Sequence, residues 1–220
     1  MASSQAQPCV SSEAAGVILA GGQSRRMGGA DKAFLTVDGR PVVERTLALL
    51  GQCFPQVVVV SNQPDKYVRF GVQVVRDEFP GKGPLAGIHA AMRHIHLPYA
   101  FVVACDMPFL RIEPIRFLVE RAHGQEAIIA SWDGDIEPLH ALYASRLQER
   151  IGVALQRGTT AIRDFLREVD AEYVPEPVMR GVLGAEESFR NINTPEEAAR
   201  FAVQLGVSRS QVIDGNSEAQ

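Results

Sequence analysis

Gln56-Val-Val-Val-Val-Ser61 is apolar at four successive positions, all β-branched. A strand with one wet face alternates polar and apolar residues, whereas one that is apolar throughout is covered on both faces, as parallel strands in layered α/β domains are. Gly16-Val-Ile-Leu-Ala20, Tyr99-Ala-Phe-Val-Val-Ala-Cys105 and Glu126-Ala-Ile-Ile-Ala-Ser131 repeat the pattern. Helical spacing lies between them. Apolar residues at 42, 43, 47, 49, 50 and 53 predict a helix begun by Pro41, and further helices are predicted over 84–94, 113–122, 147–157 and 160–169. Strand and helix in alternation give a mostly parallel sheet between helical layers.

Shorter elements fill in the order. A helical segment near 65–70 leads to a strand over 72–76, and 138–143 reads as a strand. Only the turn Trp132-Asp-Gly-Asp135 separates this strand from its predecessor, so it is expected to run antiparallel. Short strands are predicted at 172–175 and 188–192, and Asn193-Thr-Pro-Glu-Glu197 is a capped start for a helix over 195–205. Residues 1–14 lack a basic start and an apolar centre, so they are expected to be a disordered leader rather than a secretory signal. A loose tail is expected over 207–220, leaving one domain over 15–206.

The apolar run 16–20 empties into Gly21-Gly-Gln-Ser-Arg-Arg-Met-Gly-Gly-Ala-Asp-Lys32. Gly21, Gly22, Gly28 and Gly29 let backbone N–H groups approach a ligand closely, while Arg25, Arg26 and Lys32 bring fixed positive charge. That pairing suits a polyphosphate, because the same groups stabilise charge that builds on phosphate oxygens during transfer. The net charge is −4, so the cations are local to this loop, and neither a nucleic acid nor an anionic membrane is an expected partner. No apolar run approaches the roughly 20 residues of a membrane span. Three separated cysteines, without a Cys-x-x-Cys, suggest neither disulfides nor zinc and point to the cytoplasm.

Asn62 and Asp77 come directly after strands, and ligands of open α/β sheets sit beyond the carboxyl ends of the strands, so Gly21, Asn62 and Asp77 should edge one crevice. Asp106 comes after the 99–105 strand and precedes Pro108. A carboxylate where a strand meets a phosphate loop is a natural magnesium ligand, hard and shared with phosphates. Phe79-Pro-Gly-Lys-Gly-Pro-Leu-Ala-Gly87 feeds a helix whose free N–H groups could hold a second anion. The histidines lack metal-site spacing and are assigned structural or surface roles. The loop is neither a Walker A sequence nor a dinucleotide fingerprint, and no nucleophile elbow occurs.

Leu19-Ala-Gly-Gly with Arg26-Met-Gly-Gly-x-Asp-Lys32, Gly83-Pro-Leu-Ala-Gly87, Cys105-Asp-Met-Pro108 and Asn191-Ile-Asn-Thr-Pro-Glu-Glu197 together resemble the molybdenum cofactor guanylyltransferases, over about residues 16–205. The resemblance implies a three-layer Rossmann-like nucleotidyltransferase fold, mostly parallel with an antiparallel strand. It implies transfer of GMP from GTP to molybdenum-carrying molybdopterin, with Mg2+ as cofactor and pyrophosphate released. By the same resemblance Leu19, Ala20 and Gly21 line the guanine site, Gly22 belongs with them to the GTP-binding residues, and Asn62 and Asp77 hold the nucleoside. Arg26, Lys32 and Asp106 are catalytic, Lys32 on phosphates and Asp106 on magnesium, while Gly83, Gly87, Asn191 and Asn193 lie on the molybdopterin side. Molybdenum-insertion proteins and apo-molybdoenzymes are the implied protein partners, and a monomer is expected. Gly21-Gly22, where cytidylyl relatives show Ala-Gly, favours guanine. CTP specificity, a sugar-phosphate acceptor and a non-catalytic nucleotide-binding regulator are the alternatives.

Overall fold

A computed structural model describes residues 10–20, 32–37 and 39–191, with Lys32 described in its backbone only. Nine strands and seven α-helices are present among these residues. β1 (Ala14–Leu19), β4 (Val57–Val60), β5 (Gln73–Val75), β6 (Tyr99–Ala104), β7 (Ala127–Trp132), β8 (Asp135–Ala144) and β9 (Ala171–Val174) form one sheet in the order β5-β4-β1-β6-β8-β7-β9. β2 (Thr36–Val37) and β3 (Arg40–Pro41) form a separate antiparallel pair. The pairings of β1 with β4 and β6, of β4 with β5 and of β7 with β9 are parallel. β8 alone among the strands of this sheet runs the other way, antiparallel to both β6 and β7. The strand expected over 138–143 is therefore antiparallel as anticipated, and three residues longer at its start.

The period of two along each strand builds two cores. Ile18, Val59, Phe101, Val103 and Ile128 project to one face, under α1 (Val42–Cys53), α3 (Ile112–Val119), α6 (Glu176–Arg180) and α7 (Ala185–Ser188). Val17, Val58, Val60, Val102 and Ile129 project to the other, under α2 (Pro84–Met92), α4 (Gln148–Gln156) and α5 (Ile162–Leu166). Helices on both faces explain why these strands carry no polar side. The β7–β8 turn places both Asp133 (φ 49°) and Gly134 (φ 76°) at positive φ, the backbone that a two-residue hairpin needs to match strand twist.

Three expectations are corrected. β1 starts at Ala14, so the ordered fold begins inside the segment assigned to the leader. The helices expected over 113–122 and 160–169 are shorter, at Ile112–Val119 and Ile162–Leu166. No strand forms over 188–191: Ser188 ends α7, and Phe189 is fixed by side-chain stacking on Trp132 (4.8 Å) and His140 (4.5 Å) instead of by a sheet ladder. The helix expected over 195–205 and the tail lie outside the described residues. At the sheet end away from the crevice, Glu126 accepts hydrogen bonds from Arg150 (2.7 Å) and the Asp170 N–H (3.0 Å), tying α4 to the starts of β7 and β9. Burial raises the Glu126 carboxyl, but those two bonds together with the positive charges of Arg150 and Arg146 outweigh it, and the net shift is downward.

Candidate functional site

β1 lies at the point where the chain changes direction across the sheet. It runs outward to β4 and β5, then returns to place β6 on the opposite side of β1. Such a reversal leaves a crevice beyond the strand ends, between loops that diverge to opposite faces. Hydrogen bonds keep those ends together. Ala20 N–H donates to Val60 O (2.9 Å), Ser61 N–H to Val75 O (2.9 Å) and Cys105 N–H to Leu19 O (3.2 Å). The residues just past β1, β4, β5 and β6 are thus held along one edge.

Asn62 and Asp77, each just beyond a strand, meet there. The Asp77 N–H donates to Asn62 Oδ1 (3.1 Å), which turns the Asn62 amide hydrogens away from Asp77's backbone. Asp77 Oδ1 in turn accepts from the Phe79 N–H (2.8 Å), fixing the carboxylate and starting the second glycine loop. A strand-end amide donor and carboxylate acceptor, each oriented by its neighbour, form a pair able to grip the hydroxyls or ring edge of a nucleoside.

Gly83 caps α2 with φ 76° and ψ −169°, a conformation essentially restricted to glycine, and Pro84 is the first helical residue. Gly87 is an interior residue of α2: a Cβ there would come within 3.1 Å of Leu19 Cδ2, so its smallness lets the helix approach β1. Leu19 and Ala20 are both buried at the end of β1. His89, on α2, packs edge-on against Phe79 (5.3 Å) beneath the second loop, and burial lowers its pKa.

Asp106 is half-buried at the end of β6, one strand from the end of β1. Lys32 opens a single 3-10 turn, Lys32–Phe34. Ala33 is fully buried, and Phe34 stacks on Tyr67 (5.3 Å) and Phe70 (6.4 Å), which anchors the turn. Gly21, Gly22, Arg26, Asn193 and the Lys32 side chain lie outside what is described. Among the described residues no group of three or more His, Cys, Asp or Glu side chains converges on a metal position. Magnesium needs no such cage: it keeps waters and is bound through one or two carboxylates and substrate phosphates, a donor set that Asp106 at the crevice suits.

On the far side of Asp106 stands a residue that the strand-end reasoning missed. Glu137 is half-buried near the start of β8, and burial pushes its carboxyl up to about 7, with Asp135 adding, Arg163 opposing, and Asp133 and Asp106 adding further. The available signal was an acid directly before Pro138-Leu-His-Ala-Leu-Tyr143; starting the strand at Pro138 left Glu137 in the turn. Asn191 is reached through Phe189, wedged between Trp132 and His140, and its Oδ1 is buried without a partner among the described residues. Arg180 covers the Trp132 ring at 4.4 Å.

The family model of the MobA-like NTP transferase domain matches residues 16–173. The molybdenum cofactor guanylyltransferase of Desulfosudis oleivorans is 34% identical over 194 residues, covering 87% of this chain and 96% of that protein. The molybdenum cofactor guanylyltransferase of Vibrio parahaemolyticus is 32% identical over 188 residues, covering 84% and 93%. Among solved structures, molybdopterin-guanine dinucleotide biosynthesis protein A from Archaeoglobus fulgidus superimposes with a TM-score of 0.75 at 31% identity, over 87% of this chain and 98% of that one. No helix among the described residues is long and apolar enough to cross a membrane. The family model over residues 16–173, the 34% identity to a curated relative over most of both chains and the shared fold place the chain in the MobA-like NTP transferase family as a nucleotidyltransferase of the molybdenum cofactor guanylyltransferase group.

Proposed function

We propose that the enzyme transfers the guanylyl group of GTP to the terminal phosphate of molybdenum-carrying molybdopterin, releasing pyrophosphate and forming the guanine dinucleotide form of the cofactor. The observation that carries this reading is the position of Asp106, one strand from the glycine-rich loop that begins after Ala20. An oxygen of the acceptor phosphate bonds to the α-phosphorus of GTP, and the bond to the β-bridging oxygen breaks with its electron pair leaving on pyrophosphate. The attacking oxygen is already anionic, so no strong general base is required. The barrier lies in bringing two anions together and in stabilising charge on the α-phosphate and leaving group.

Lys32 and Arg26 supply fixed positive charge to that end, and the loop glycines supply N–H donors. Leu19, Ala20, Gly21 and Gly22 line the base, Asn62 and Asp77 hold the nucleoside, and Asn191 and Asn193 face the acceptor. Asp106 would hold magnesium, which when bound neutralises phosphate charge. Gly83 shapes the second loop, and Gly87 acts by letting α2 pack against β1.

The test is guanylyl transfer by Asp106→Ala and Lys32→Ala, with pyrophosphate release measured from GTP, molybdopterin and magnesium. Asp106 does not fill a core, so its variant should melt like wild type yet lose transfer by about 100-fold or more. Retained turnover in a folded Asp106→Ala variant refutes the assignment. Competition among GTP, CTP and UTP for incorporation tests the base preference.

A further inference from the structure

β8 carries a carboxyl whose placement the fold does not explain. Glu137 pairs with Ala130 of β7 and so projects from the same sheet face as Ala130. Its carboxyl makes no hydrogen bond to a described residue, and the nearby guanidinium of Arg163 is turned to Asp135 and to the Ile136 carbonyl. A half-buried carboxyl that no donor of the fold engages stays open at the crevice to N–H donors from a ligand. Asn191 Oδ1 is buried and unpartnered among the described residues. Both residues hang on one aromatic stack, Glu137 three positions before His140 and Asn191 two after Phe189, whose rings lie 4.5 Å apart. Two acceptors without donors call for a ligand edge made of N–H groups.

Position in the sheet decides which substrate supplies that edge. Neighbouring strands are about 4.8 Å apart, so β8 stands about 14 Å from β4 and about 19 Å from β5, the strands that carry Asn62 and Asp77. A nucleoside gripped at Asn62 and Asp77 keeps its base on that side of Asp106. The second substrate occupies the other. Resting on the function proposed above, we propose that Glu137 is a specificity determinant for the acceptor, its carboxylate receiving the adjacent ring N–H and exocyclic amine of the acceptor's 2-amino-4-oxopyrimidine ring. Two carboxylate oxygens match two parallel N–H donors, the bidentate arrangement in which charge-assisted hydrogen bonds are strongest.

The experiment uses the full-length protein, Glu137→Gln and Glu137→Ala, titrated with metal-free molybdopterin and separately with GTP. Pterin and lumazine serve as competitors; lumazine carries an oxygen where pterin carries the exocyclic amine, so it faces the carboxylate with a lone pair. Wild type should prefer pterin by about 10-fold or more, and Glu137→Gln should lose that preference, bind molybdopterin about 10-fold more weakly and hold GTP within about twofold. In turnover the KM for acceptor rises while kcat is kept. Glu137→Gln is near-isosteric and keeps the test available if the alanine variant does not fold. Unchanged molybdopterin affinity and an unchanged pterin preference in Glu137→Gln overturn the proposal. Weakened GTP binding with molybdopterin unaffected assigns the donor edge to guanine and overturns it too. A wild-type protein that binds GTP but not molybdopterin refutes the underlying function before any substitution is made, which separates the two failures.

Discussion

His140 is fully buried between Phe101 (5.3 Å) and Phe189 (4.5 Å), and neither ring nitrogen has a hydrogen-bond partner among the described residues. Burial lowers its pKa from 6.5 to about 4. The unfolded chain then binds a proton that the folded chain refuses, so stability is fully present above pH 6.5 and falls as pH drops toward 4. The complete loss is on the order of 3 kcal/mol, and about 2.5 kcal/mol of it has been reached by pH 4.5. Glu137 works in the opposite sense. Its folded pKa of about 7 lies above the ordinary 4.5, so it adds stability as pH falls through that interval and masks part of the histidine effect in the wild-type curve. The difference between His140→Leu and wild type isolates the imidazole. At pH 7.5 the two should be within about 1 kcal/mol, because removing two unpaired buried nitrogens offsets the lost ring contacts. At pH 4.5 the variant should be ahead by about 2.5 kcal/mol more, a shift of about 1 M in urea midpoint for a slope near 2.5 kcal/mol/M. Urea titrations at pH 7.5, 6.0, 5.0 and 4.5 read it directly. A midpoint difference that stays constant across this range refutes a neutral, unpartnered His140, and so does a loss beyond about 3 kcal/mol at pH 7.5.

Two further outcomes test the crevice. Asn62→Asp keeps an oxygen for the Asp77 N–H but replaces the amide hydrogens with negative charge beside the Asp77 carboxylate. Melting should be nearly unchanged while the KM for GTP rises about 10-fold or more, and an unaltered KM removes Asn62 from nucleoside binding. Gly83→Ala forces a side chain into φ 76°, at an expected cost of about 1–3 kcal/mol, or several degrees in melting temperature. A variant that melts with wild type shows that the loop relaxes elsewhere.

The parallel half of the fold was legible because burial on both faces writes itself as unbroken apolar runs. Val57–Val60 needed no further information to become a central strand, and its end predicted the place of Asn62. The mutual orientation of Asn62 and Asp77 was not legible, since their bond joins residues 15 apart through two strand ends that only the sheet brings together. Gly87 shows a glycine-rich motif serving two masters: Gly83 is required by backbone conformation and Gly87 by the close approach of a helix to Leu19. Ser188-Phe-Arg-Asn191 looked like a strand for its flanking apolar residue, but Phe189 had a larger gain available in the Trp132–His140 stack than in an edge ladder.

Glu137 was hidden for a deeper reason, one rooted in strand direction. Looking beyond the carboxyl ends of strands finds Ala20, Asn62, Asp77 and Asp106, because β1, β4, β5 and β6 all run toward the crevice. β8 runs away from it, so the part of β8 that reaches the crevice is its beginning, where Asp135, Ile136 and Glu137 pair with the last three residues of β7. In the register that pairs Val103 with His140, Glu137 stands just beyond the ladder on the Asp106 side. An antiparallel strand inserted into a parallel sheet therefore inverts the rule on one side only. Residues at the ends of strands announce one side of the crevice, and a residue at the start of one announces the other, the side that the proposal above gives to the acceptor.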